Sequence, residues 1–261
     1  MFVDSHCHLN FPQYADQLDQ IRAEMAQAQV DRALCISTTL EEFPQVHALA
    51  TKYDNFWATV GVHPDNEGIQ EPTLADLLER AKLPKVVGIG ETGLDYYRLE
   101  GRTLADMEWQ RDRFRVHIQA AQETNLPMVI HTRSSSEDTL AILKEAGQGK
   151  VTGVFHCFTE SKEVAQAALD LGFLISFSGI VTFKNAAAIR EVAAYVPLDR
   201  TLIETDSPYL APAPYRGKTN SPAYVPFVAK QLAELKGVSP GEVGRVTSRN
   251  FEQLFSVPAA A

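Results

Sequence analysis

Short β-branched and aromatic runs alternate with longer amphipathic stretches along the whole chain. The strand-like runs cover residues 2–8, 32–37, 56–62, 86–93, 128–132, 153–158, 173–178 and 201–205. Between them apolar residues recur at three- and four-residue steps, as in Leu18, Ile21, Met25 and Ala28, or Leu140, Leu143 and Ala146. That spacing predicts helices with one buried face. The longest such stretch runs from Trp109 to Asn125, and Pro127 stands just beyond it as a stop signal. Strands alternating with helices imply parallel βαβ units. Eight of them predict an α/β chain closed into a single TIM (β/α)8 barrel over 1–261, with an open doubly wound sheet as the structural alternative. After the eighth run, residues 208–226 are rich in proline and polar residues, which predicts a long loop over the C-terminal face of the barrel. No repeat or low-complexity linker divides the chain.

Length and charge sharpen this picture. The 261 residues match the ~250 that one such barrel takes, and 45% hydrophobic residues are enough to fill it. A formal net charge of -9 argues against a protein that grips nucleic acid with its whole surface, because that affinity comes from Lys and Arg neutralising phosphates. It is compatible with a nuclease that meets phosphate through metal ions and a few local cations. Cys7, Cys35 and Cys157 form no CxxC pair and predict free thiols in a reducing compartment. The chain enters its first strand at once, and no apolar run approaches the ~20 residues of a membrane span. A cytoplasmic monomer is the expectation.

The candidate chemistry lies at the strand ends. In His6-Cys7-His8 alternation sends both imidazoles to one side, about 7 Å apart along the backbone, where they suit one metal ion. A strand histidine is as readily a hydrogen-bonded core residue, so the pair alone decides nothing. Glu91, His131, His156 and Asp206, however, close the fourth, fifth, sixth and eighth runs. An N-cap role for Asp206, or a satisfied polar role for either histidine, would explain each singly. Neither explains why ionisable groups recur at the one end where barrel enzymes carry their chemistry. Six ligands exceed what one tetrahedral ion needs and suit two ions sharing a carboxylate. Glu91 is the natural bridge, with His6, His8 and Asp206 on one ion and His131 and His156 on the other. Nitrogen and oxygen donors without thiolate fit Zn²⁺, Mn²⁺ or Fe²⁺ and, less well, Mg²⁺.

These residues stand in longer motifs: Asp4-Ser5-His6-Cys7-His8, Gly61-Val62-His63-Pro64, Gly90-Glu91-Thr92-Gly93-Leu94-Asp95, His131-Thr132-Arg133, His156-Cys157-Phe158 and Glu204-Thr205-Asp206-Ser207-Pro208. With residues 211–220, they resemble the TatD family of metal-dependent hydrolases from residue 2 to about Phe255. Residues 91–97 and 177–183 narrow the resemblance to one branch of it. The resemblance implies a TIM barrel of the amidohydrolase superfamily holding one or two divalent ions. It implies phosphodiester hydrolysis, usually by a magnesium- or manganese-stimulated deoxyribonuclease and in some members from the 3′ end. His6, His8, Glu91, His131, His156 and Asp206 match the family's ligands.

On that reading Asp206 accepts the proton of a metal-activated water and Glu91 serves catalysis as the bridge. DNA or another phosphodiester, single-stranded or small, is the expected partner. His63, Arg133, Arg216 and Lys218 are the candidate substrate contacts. Asp95 is expected to orient the loop beneath Tyr96 and Tyr97. Two other readings stand beside this one. The same site would serve an ester or amide hydrolase, such as a D-aminoacyl-tRNA deacylase, and a non-catalytic metal-binding scaffold would carry the ligands without turnover.

Overall fold

A computed structural model describes residues 1–259. Eight parallel strands pair in chain order: β1 (Phe2–Cys7), β2 (Val30–Cys35), β3 (Phe56–Val60), β4 (Val86–Asp95), β5 (Met128–Arg133), β6 (Gly153–Phe155), β7 (Leu174–Phe177) and β8 (Thr201–Ile203). Around them lie α1 (Leu18–Gln27), α2 (Phe43–Lys52), α3 (Leu74–Ala81), α4 (Glu108–Thr124), α5 (Ser136–Gly147), α6 (Lys162–Asp170), α7 (Ala187–Tyr195), α8 (Val225–Lys236) and α9 (Pro240–Phe255). This is the (β/α)8 barrel expected from the alternation, and the doubly wound sheet is excluded by the sequential strand order.

Local chemistry sets the helix ends. Thr73 and Asp76 close a reciprocal capping box on α3, and the Ser239 hydroxyl accepts from the Glu242 amide at the start of α9. Asn125, at φ 56°, ends α4 in the left-handed conformation where the sequence stop was expected. The long loop after β8 is shorter than expected by its last two residues, because Val225 and Pro226 open α8. Proline suits a first helical turn, where its missing N–H leaves no bond unmade.

The barrel interior is layered. At its N-terminal end Val3, Leu34, Trp57, Val129, Val154, Leu174 and Leu202 form one apolar cluster with Phe251 and Phe255 of α9. Burying each such side chain contributes about 1.5–3 kcal/mol. Two residues further along several strands the side chains are polar or ionisable: Ser5, His131, His156, Ser176 and Glu204. Strand alternation returns the side chain to the same face after two residues, so these occupy the next layer towards the C-terminal mouth.

The ring closes between β8 and β1 through single bonds rather than a continuous ladder. The Asp206 amide donates to the His6 carbonyl at 3.0 Å and the His8 amide to the Ser207 carbonyl at 2.9 Å. Lower in the seam the Asp4 carboxyl accepts from the Thr205 amide at 2.9 Å and from its hydroxyl at 2.5 Å. Burial, the largest influence on Asp4, pushes its pKa up to about 8 despite these bonds. Among the described residues the three thiols are free, and no helix is long and apolar enough to cross a membrane.

Candidate metal centre

Glu91 reaches the barrel axis because β4 is irregular there. Ile89 pairs with Met128 and Thr92 with Ile130, so three steps on β4 face two on β5. Such a bulge re-aims a side chain. Glycines on both sides permit it. Gly90 has φ 138°, and a Cβ on it would lie 2.5 Å from the Val129 carbonyl oxygen. Gly93 has φ 141°, and a Cβ there would lie 2.0 Å from the His131 carbonyl oxygen. No L side chain fits either place without moving the neighbouring strand.

The carboxylate so placed faces histidines on both of its oxygens. Glu91 Oε2 lies 3.2 Å from His6 Nε2 and 3.9 Å from His8 Nε2. Glu91 Oε1 lies 2.7 Å from His156 Nε2, 3.1 Å from His131 Nδ1 and 3.3 Å from His63 Nε2. Asp206 Oδ1 joins the first group, 3.6 Å from His6 Nε2 and 3.4 Å from His8 Nε2. All six expected ligands therefore meet in one cluster. The expected division into two halves falls on the two oxygens of Glu91, with one refinement. The His156 ring stacks on His6 with centroids 3.8 Å apart, so it stands between the halves rather than wholly in the second.

The electrostatics fit a cation. His6 Nε2 and His8 Nε2 both face Glu91 and Asp206 and approach one another to 3.3 Å. Two buried ring nitrogens this close beside two carboxylates suit a shared cation. Within 4.8 Å of one another lie ligand atoms of His6, His8 and Glu91, of His6, His156 and Asp206, and of His63, Glu91 and His131. Burial, the largest influence on Glu91, would raise its pKa, but the surrounding imidazoles of His156, His63 and His6 hold it well below the ordinary carboxylate range. Burial likewise opposes charge on His156, yet Glu91 and Glu204 together hold it well above the usual histidine value.

Carboxylates behind the histidines fix which ring nitrogen faces the cluster. Glu204 lies 3.2 Å from His156 Nδ1, and Asp95 Oδ2 lies 2.9 Å from His131 Nε2. A proton held at each of those positions leaves His156 Nε2 and His131 Nδ1 free to ligate. His63 differs. Its Nδ1 accepts from the Asp65 amide at 3.0 Å, which in a neutral ring places the proton on Nε2. His63 thus presents a donor to Glu91, although its distance alone would group it with the ligands. From α4, Arg113 donates to the His63 carbonyl at 2.8 Å, and the buried His117 Nε2 accepts from the Val62 amide at 3.0 Å.

Glu204 and the contact of Asp95 with His131 were missed by sequence reasoning, although alternation places Asp95 on the face of Glu91 and Gly93. Its expected second role holds, since Asp95 Oδ1 accepts from the Tyr97 amide at 2.9 Å. The cluster opens into a cavity of about 700 Å³ lined by Arg133, His63, Arg98, Phe11 and Tyr209 among others. Arg216 and Lys218 are not brought to that wall. Arg216 lies 3.6 Å above the Phe183 ring and Lys218 5.7 Å from that of Tyr215. The late loop is instead tied down by Asn220, whose amide donates to the carbonyls of Thr205 at 2.8 Å and Tyr209 at 2.6 Å.

Fold and site together define a metal-dependent hydrolase on a TIM barrel. The family described as TatD related DNase matches residues 3–256, and the chain belongs to it. It is 47% identical to the uncharacterized metal-dependent hydrolase YcfH of Escherichia coli K12, over 99% of this chain and 97% of that protein. That is the branch to which residues 91–97 and 177–183 pointed. It is 32% identical to the 3′-5′ ssDNA/RNA exonuclease TatD of Salmonella typhimurium, over 97% of this chain and 98% of the other. The crystal structure of YjjV, a TatD homologue from Escherichia coli K12, superposes with a TM-score of 0.90 at 30% identity, covering 98% of each chain.

Proposed function

We propose that the chain hydrolyses phosphodiester bonds of single-stranded nucleic acid from the 3′ end, in the cytoplasm and as a monomer. The observation that carries this reading is the sharing of Glu91 between two sets of histidines under a cavity that has arginines on its wall. It is supported by the exonuclease activity named for the Salmonella relative.

His6, His8, Glu91, His131, His156 and Asp206 would hold two divalent cations, which when bound supply Lewis acidity towards a phosphoryl oxygen and acidify water to react near neutral pH. Asp206 accepts the proton of the attacking water. Burial works against its ionisation, but His8 and His6 hold its carboxyl below the ordinary range, so it is charged and ready as the base. With the Glu91 carboxylate taken up by cations, the Nε2–H of His63 would be released from it to a non-bridging phosphate oxygen. Arg133, on the cavity wall, offers its planar fork to a phosphate of the substrate strand. Glu204 and Asp95 keep His156 and His131 in the ligating tautomer.

The test is digestion of a 5′-labelled single-stranded oligonucleotide. A ladder shortening from the 3′ end is expected, abolished by chelator and slowed at least ~10³-fold in Glu91→Ala, which corresponds to ~4 kcal/mol of barrier. An intact oligonucleotide, with protein shown to hold metal, would overturn the reading and move it to esters and amides, beginning with D-aminoacyl-tRNA.

A further inference from the structure

The cavity wall is polarised. Tyr97 and Arg98 follow β4 and Arg133 ends β5, whereas Tyr209 follows β8 and Phe11 follows β1. In a ring of eight strands in sequential order, β4 and β8 stand opposite one another. The Glu91 cluster lies between the two sides. On the β8–β1 side the surface is aromatic: the Phe11 ring packs 4.9 Å from that of His8 and 6.2 Å from that of Tyr209. On the β4–β5 side it is cationic.

The two cations there differ from their neighbours on this flank. Arg102 and Arg111, on the same flank, are ion-paired with Glu67 and with Glu108 and Asp138. Among the described residues neither Arg98 nor Arg133 has a carboxylate within ion-pair distance or a side-chain hydrogen bond, although the net charge is -9 and acceptors are plentiful. Arg133 is nevertheless held in place. Its guanidinium lies 3.6 Å from the centroid of the Tyr97 ring, and the Tyr97 amide is fixed on Asp95. One face of the guanidinium is covered and its edge is unspent. That is a fork prepared for a planar set of anionic oxygens. Tyr97 and Tyr209, 58% and 53% exposed, leave rings at both lips on which unpaired bases can stack.

From this geometry, and resting on the phosphodiester reading above, we propose that Arg98 and Arg133 hold a second phosphate, the one adjoining the cleaved bond on its 5′ side. The nucleoside being removed then lies towards Phe11 and Tyr209. The substrate class is narrowed to strands that carry a phosphate next to the scissile one. Isolated phosphodiesters, and dinucleosides lacking that phosphate, are handled poorly.

The experiment compares kcat/KM for three compounds: bis(p-nitrophenyl) phosphate, the thymidine dinucleoside dTpdT, and the same dinucleoside with a 5′-phosphate, pdTpdT. A charged hydrogen-bonded phosphate contact predicts that wild type prefers pdTpdT over dTpdT by about 10-fold or more. In the double variant R98A/R133A that ratio falls to about one, and in R98K/R133K it is partly kept. Because each ratio is taken within one protein, partial loss of folded enzyme does not disturb it. Equal efficiency on both dinucleosides in wild type, or a ratio retained in R98A/R133A, overturns the inference while leaving phosphodiester hydrolysis standing. Failure to cleave any of the three removes the phosphodiester reading and the inference with it.

Discussion

The two ends of the barrel interior are built from the same strands and have opposite chemistry. At the N-terminal end Val3, Trp57, Val129, Val154, Leu174 and Leu202 pack on Phe251 and Phe255. Two residues later the same strands present Ser5, His131, His156, Ser176 and Glu204, and beyond these lie the cluster around Glu91 and the open mouth. The first layer obtains its stability from excluded water. The second crowds buried imidazoles and carboxylates together, with His6 Nε2 and His8 Nε2 3.3 Å apart beside Glu91 and Asp206. One end holds the ring together so that the other can gather ionisable groups where a cation would bind.

With that division the two ends fail separately. Phe251→Ala opens a cavity in the apolar end and is expected to cost about 3–5 kcal/mol of stability, read from the denaturant midpoint. Metal uptake at a temperature where the variant remains folded should be unaltered. Loss of uptake by the folded variant would break the division.

A smaller effect sharpens it through the histidines. His117 is buried, but both its nitrogens have partners: Nε2 accepts from Val62, and Nδ1 lies 2.8 Å from the Arg113 carbonyl. Burial pulls its pKa down to about 4 from 6.5. Above pH 6.5 it is neutral folded or unfolded. As pH falls towards 4, the unfolded chain takes up a proton that the folded one refuses, so stability is progressively lost. The total is on the order of 3 kcal/mol. His117→Gln should therefore show a shallower fall in stability between pH 6.5 and 4 than wild type, as measured by denaturant titration at each pH. Parallel curves would contradict a structural, uncharged role for this residue.

Much of both ends was legible in the sequence, because strand alternation and strand order depend on local periodicity. His6 and His8 on one face, and His131 and His156 at the ends of adjacent strands, follow from counting residues along runs of apolar character. What escaped depends on departures from that regularity. The bulge at Gly90 and Glu91 shifts the register by one residue, and only the flanking glycines hint at it. Glu204 reaches His156 across an intervening strand, a contact that no spacing encodes. His63 looked like an outer residue and instead touches Glu91, because α4 holds its segment inward through Arg113 and His117. Arg216 and Lys218 were placed at the mouth by their position in a polar loop. Their long side chains found the aromatic faces of Phe183 and Tyr215, and a single buried amide, Asn220, anchors the loop.

We propose that the mouth takes up two cations that share Glu91, and calorimetric titration of chelator-treated protein with Mn²⁺ and, separately, with Zn²⁺ reads this out. Saturable uptake of two ions per chain is expected in wild type and, because one carboxylate would serve both, no more than one in Glu91→Ala. Absence of stoichiometric uptake by folded wild type, or undiminished uptake of two ions by Glu91→Ala, would contradict it.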